Sequence, residues 1–115
     1  MISFPVKVLY FNRETNLHSI WDSSLVESAH SWSYSEWQFQ IDRVTEEFAA
    51  QMQQGTIEDW FLQTWTIAKK VYEVTPEDSR ISYDYIAAMA PVIEQQLLLG
   101  GLRLAGVLNR IYGTK

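Results

Sequence analysis

The sequence predicts an all-α fold, a multi-helix bundle of four or five helices preceded by a short N-terminal strand. Three observations carry this. Apolar residues recur at helical spacing through most of the chain beyond Thr15, helix-capping residues stand where those periodic stretches begin, and strand-like alternation is confined to residues 1–12. The 115 residues suit a single domain, 1–115, and a 47% hydrophobic content with 5 Trp, 6 Tyr and 5 Phe can fill its core without covalent staples.

Taken in order, Val6, Val8 and Tyr10 alternate with Lys7, Leu9 and Phe11, which predicts one extended segment closed by a polar turn at Asn12-Arg13-Glu14. A lone strand needs a partner, and no other stretch reads as one. Thr15 or Asn16 is a suitable N-cap for a helix towards His30, with Leu17, Ile20, Trp21, Leu25 and Ala29 on one face. Ser31 to Glu36 is expected to turn the chain. A second helix follows, with Ile41, Val44, Phe48, Ala49 and Met52 as its apolar side and Gly55 as its stop. Thr56 caps a third, with Glu58 and Asp59 placed to favour its dipole and Ile57, Trp60, Phe61, Ala68 and Val71 as its buried stripe.

Thr75-Pro76-Glu77-Asp78 reads as another helix start, with proline at the first helical position. The last helical region covers about Ser82 to Tyr112, and Pro91 is expected to kink or restart it. Leu97, Gly101, Leu104, Ala105, Leu108 and Ile111 share one side there. Gly100, Gly101, Ala105 and Gly106 are small enough for close approach of a neighbouring helix.

Composition excludes several classes of function. With no cysteine there can be no disulfide and no thiolate metal site, so any metal must be held by His, Asp, Glu or backbone oxygen. A net charge of −5 gives no bulk attraction for nucleic acid, so such a role requires a local source of positive charge. Met1-Ile2-Ser3-Phe4-Pro5 shows no secretory signal pattern, and the six-residue apolar run Leu97 to Leu102 is too short to span a membrane.

The chemically informative stretch is Thr15-Asn16-Leu17-His18-Ser19-Ile20-Trp21-Asp22. Four residues apart on a helix, His18 and Asp22 differ by about 40° and stack one turn apart, so an imidazole and a carboxylate can reach one divalent cation. The same spacing also suits a plain surface hydrogen bond. His30, the other histidine, lies about 12 Å beyond Asp22 along a continuous helix and is expected to be structural or solvent-facing.

The run Thr-Asn-Leu-His-x-x-Trp-Asp resembles the last metal-binding motif of S1/P1 nucleases. The likeness extends through Trp60, Ala68, Val71 and Tyr72, and through Tyr85, Pro91, Gln96-Leu97 and Gly101-Leu102-Arg103-Leu104-Ala105-Gly106-Val107-Leu108-Asn109, which is similar to the family's closing helix. Val6-Lys7-Val8 with Phe11-Asn12 resembles the strand before the motif.

The resemblance implies the C-terminal portion of a phospholipase C/P1 nuclease-type fold, incomplete relative to the family. It implies a zinc-dependent endonuclease and 3′-nucleotidase that cleaves single-stranded DNA and RNA to 5′-phosphorylated products. Three zinc ions would supply the missing positive charge, and the motif assigns His18 and Asp22 as ligands to one of them. The family is secreted or periplasmic.

The family's N-terminal Trp ligand and its Gly-Asp-x-His-Gln-Pro-Leu-His-like segment have no counterpart here. Two ligands fall short of the three or four a zinc site needs. The expectation is therefore a chain that by itself binds zinc weakly, is catalytically silent, and depends on the missing N-terminal portion or on self-association. The Trp21, Trp32 and Trp37 region would be the exposed patch, unless those residues are ordinary core. A non-catalytic helical interaction module and a zinc phospholipase C-like hydrolase are the alternatives.

Overall fold

The computed structural model describes residues 6–113, so the signal and strand expectations for residues 1–5 lie outside the described residues. The fold is mostly helical with a small three-stranded sheet. Its elements are β1 (Lys7–Tyr10), β2 (Arg13–Asn16), α1 (Leu17–Ser19), a π-helical turn (Ile20–Ser24), α2 (Leu25–Ala29), α3 (Tyr34–Ile41), α4 (Glu46–Met52), α5 (Ile57–Val74), β3 (Ser79–Ile81) and α6 (Tyr83–Tyr112).

The strand does find partners, contrary to the sequence expectation. β1 pairs antiparallel with β2, Val8 opposite Thr15, and parallel with β3, Val8 opposite Ser79. Of the expected polar turn, Arg13 and Glu14 instead begin β2. The chain reverses one residue earlier, at Phe11 and Asn12, whose φ values of 50° and 67° suit a two-residue hairpin loop of the twist-matched kind. Phe11 carries this unusual conformation because it is tied down. Its N–H donates to the Ile81 carbonyl at 2.9 Å, and its ring meets Tyr10 and Tyr83 edge-on. Short strands such as Arg13–Asn16 and Ser79–Ile81 have no apolar alternation to reveal them; pairing with β1 creates them.

Asn16 caps the first helix, its side-chain oxygen accepting from the Ser19 N–H at 2.8 Å. Residues 34–36, expected in a turn, are already helical, because Ser33 and Glu36 form a reciprocal capping box. The single helix expected beyond them is two helices. Asp42 ends α3, and the Thr45 hydroxyl accepts from the Phe48 N–H to start α4 afresh, with Glu46 and Glu47 in its first turn. Val44 and Thr45 are poor helix propagators, and a good cap there outweighs continuation. Gly55, at φ 102°, closes this stretch in a backbone region that suits glycine.

Thr56 caps α5 through a second box with Asp59. The stripe expected to be buried is so only in part: Trp60, Ala68 and Val71 are half-buried, while Ile57 and Phe61 are 73% and 64% exposed, joined by Leu62 and Trp65. Pro76 starts no helix either. Asp78 sits at φ 70°, its N–H donates to the Lys7 carbonyl, and the chain enters β3. α6 runs through Pro91 as one helix.

The chain divides into two compact units, one formed by residues up to Ser31 with Thr56–Ala90 and one by Trp32–Gly55 with the stretch from Pro91. In the first, Val8, Leu17, Ile20, Leu25, Ile81 and Ile86 form the core, and Thr75 is buried with them. In the second, Ile93 and Leu99 are buried, the Gln53 side chain donates to the Leu102 carbonyl, and Arg103 donates to that of Met52. Of the small-residue cluster, only Gly106 is shown in close approach, since a Cβ there would stand 3.0 Å from Gln53 Cγ. Gly100 and Gly101 face open space. Among the described residues, no helix is long and apolar enough to cross a membrane.

Candidate metal half-site and its family

The candidate pair sits on the first helix. α1, the π turn and α2 follow one another without a gap, and Ile20 at 0% and Leu25 at 0% exposure anchor the inner face within the unit that also holds the sheet. Leu17, Ile20 and Leu25 are buried and Trp21 and Ala29 half-buried, which is the face the spacing predicts.

His18 and Asp22 lie opposite that core, both exposed. The π turn was not anticipated. It is bounded by a bond from the Leu25 N–H to the Ile20 carbonyl, five residues back instead of four. The added residue lowers the rotation per residue below the α-helical 100°, which reduces the offset of about 40° between His18 and Asp22 that a pure α-helix would give. Neither side chain takes a hydrogen-bond or ion-pair partner among the described residues. Their donor atoms are therefore available to solvent or to a cation.

An imidazole nitrogen with a carboxylate oxygen is a donor set zinc accepts, and exposed neighbouring donors on successive turns fit part of its coordination sphere. Among the described residues, no group of three or more His, Asp or Glu side chains is placed to hold an ion together. His30 is half-buried and ends α2 in an extended conformation, turned out of the helical path on which His18 and Asp22 stand.

Around the pair the structure supplies supports that spacing alone does not reveal. The Trp21 indole N–H donates to the Tyr85 hydroxyl at 3.1 Å, and Tyr85 is in turn bonded to Thr75 Oγ1 at 2.8 Å. The Tyr10 hydroxyl donates to the Ser24 carbonyl at 3.4 Å and is also hydrogen-bonded to Ser28 Oγ. Trp21 is thus engaged in its own unit, and Trp32 and Trp37 are half-buried and meet edge-on at 4.9 Å. Exposed apolar surface lies beside these tryptophans on α3, where Tyr34 and Phe39 are 94% and 65% exposed, on α5, and on α6, where Leu97, Leu104, Leu108 and Ile111 are 44%, 59%, 44% and 63% exposed.

Comparison with known proteins places these observations. Residues 5–113 match the family model described as S1/P1 Nuclease. Endonuclease 3 of Arabidopsis thaliana is 32% identical over 130 residues, covering 96% of this chain and 42% of that protein. Endonuclease 2 and Endonuclease 4 of the same plant are 29% and 26% identical, again with 42% of each relative covered. The chain thus spans less than half the length of the relatives it matches. A match across nearly all of this chain, including the segment that carries His18 and Asp22, shows that it belongs to the S1/P1 nuclease family.

Proposed function

We propose that this chain is the C-terminal portion of a zinc-dependent nuclease acting on single-stranded DNA and RNA, which yields 5′-phosphorylated products and also removes 3′-phosphates. The observation that carries this reading is the pair His18 and Asp22, exposed one turn apart on a capped helix, within the stretch matched by the nuclease family. When bound, zinc supplies water activation and charge stabilisation at the phosphoryl and leaving oxygens.

The chain's own residues contribute position and donors. Asn16 fixes where the helix begins, Ile20 and Leu25 lock its inner face, and His18 Nδ1 or Nε2 and an Asp22 oxygen are left on the outer face to take part of one ion's coordination sphere. With a net charge of −5, the chain has no bulk attraction for a polyanion, so the cations of the complete site would draw in the phosphate backbone.

The remaining ligands would come from the missing N-terminal portion of the fold or, failing that, from a second copy. The exposed apolar faces support such a dependence. Ile57, Phe61, Leu62 and Trp65 on α5, and Leu97, Leu104, Leu108 and Ile111 on α6, are apolar surfaces of the kind that mark interaction sites. The same faces favour the second reading, a non-catalytic helical interaction module.

Zinc content of the purified chain, by elemental analysis and titration, tests the half-site. Near-stoichiometric zinc that His18→Ala abolishes supports the half-site. Absence of zinc uptake by the wild-type chain at micromolar metal leaves the family assignment standing and makes this chain by itself an inert piece of scaffold.

A further inference from the structure

We infer that Tyr85, bridging Trp21 and Thr75, is a positioning residue that holds the π-helical turn on which the candidate ligand pair depends; the part of this inference that concerns zinc rests on the half-site reading above. Thr75 is 1% exposed and is the buried polar residue of the core among the described residues. It ends α5, while Tyr85 stands in the first turn of α6 and Trp21 lies inside the π turn, so one chain of hydrogen bonds joins three elements of the same unit.

An indole N–H can only donate, so Tyr85 Oη accepts from Trp21 at 3.1 Å; between Tyr85 Oη and Thr75 Oγ1, at 2.8 Å, either hydroxyl can be the donor. Each member thereby finds the partner its burial demands.

Why the turn needs holding is equally direct. A π turn is a minority geometry that reverts to α-helix unless its surroundings over-determine it. Here it is pinned twice: Trp21 by Tyr85, and the Ser24 carbonyl by the Tyr10 hydroxyl from β1. Ile20, wholly buried, fixes its start. Asp22 is one peptide bond from Trp21, so the indole's anchor also sets the direction in which the Asp22 carboxylate leaves the helix relative to His18. Groups hydrogen-bonded directly to a metal's ligands cost about 10–100-fold in metal affinity when lost, and an anchor one residue away acts at the low end of that range.

Tyr85→Phe removes only the hydroxyl. Amide hydrogen exchange read residue by residue, with zinc titration alongside, tests the inference. The expected result is a selective loss of protection at the Leu25 N–H and its neighbours in the turn, with protection in the middle of α5 unchanged, and zinc affinity lower by about tenfold. Selective loss in a background where the wild-type chain takes up no zinc upholds the positioning role and rejects zinc binding by this chain alone. Unchanged protection in the turn overturns the inference, as does a uniform fall across all helices, which marks a merely structural hydroxyl. Trp21→Phe carries the same test should Tyr85→Phe not fold, and in a chain of bonds acting as one unit the double variant adds little to either single change.

Discussion

In the first helix, Leu17, Ile20 and Leu25 are 3%, 0% and 0% exposed, whereas in α6 Leu97, Leu104, Leu108 and Ile111, spaced just as regularly, are 44% to 63% exposed. The spacings carry the same message, an apolar stripe along a helix. The surroundings differ. The first stripe belongs to a compact unit in which Val8, Ile81 and Ile86 are buried as well. The α6 stripe, like Ile57 and Phe61 on α5, lacks such cover in this chain. Periodicity thus states that a face is to be buried; it does not state which segment will bury it, or whether that segment is part of the same 115 residues.

The sharpest way to break this comparison is to truncate one residue from each stripe. Ile20→Ala should destabilise the chain by about 2–5 kcal/mol in urea denaturation, since it removes a fully buried side chain and leaves a cavity. Ile111→Ala, at 63% exposure, should stay within about 0.5 kcal/mol. Comparable losses at the two sites would mean that the α6 stripe is covered after all.

Removing the cap that begins the first helix comes next. Asn16→Ala should cost about 1 kcal/mol and loosen the turns bearing His18 and Asp22, seen as faster amide exchange at Ser19. A smaller change of opposite sign is expected at Gly100. Nothing stands within 4 Å of a Cβ built there, so Gly100→Ala should stabilise α6 by about 0.5–1 kcal/mol through backbone entropy. A destabilised variant would reveal a neighbour close against that face.

The smallest effect belongs to the sheet. Lys7 lies 3.2 Å from Glu14 and 3.6 Å from Asp78, and the hydrogen bond to Glu14 followed by the charges of Asp78 and Glu14 raises its pKa above the ordinary lysine value. A raised folded-state pKa means the contribution is present in full below the unfolded lysine value, about 10.4, and fades as pH climbs through the folded one. Thermal melts between about pH 9 and pH 12 should show a slight decline that Lys7→Met removes and that added salt blunts.

Local chemistry wrote several features legibly into the sequence. Thr56 and Asn16 act as caps because a side-chain oxygen beside the first free N–H groups needs nothing from afar. The inner face of the first helix follows from helical pitch. The run around that pair also resembles the family that the match over residues 5–113 then shows.

Tertiary structure decided the rest, because the deciding partner was distant in sequence. β3 exists because β1 offers it pairing across 71 residues, Lys7 with Asp78 and Val8 with Ser79. Pro76 starts no helix because Asp78 turns back to Lys7. The π turn is a rare helical geometry, and it is met by Tyr85 and Tyr10 bonding to it from other elements, which no local pattern announces. The sequence by itself determined where helices can begin and which face of each repels water. Which of those faces meets a partner, and which is left open in this chain, was decided by long-range contact, since hydrophobic burial is a property of what surrounds a side chain and not of the side chain alone.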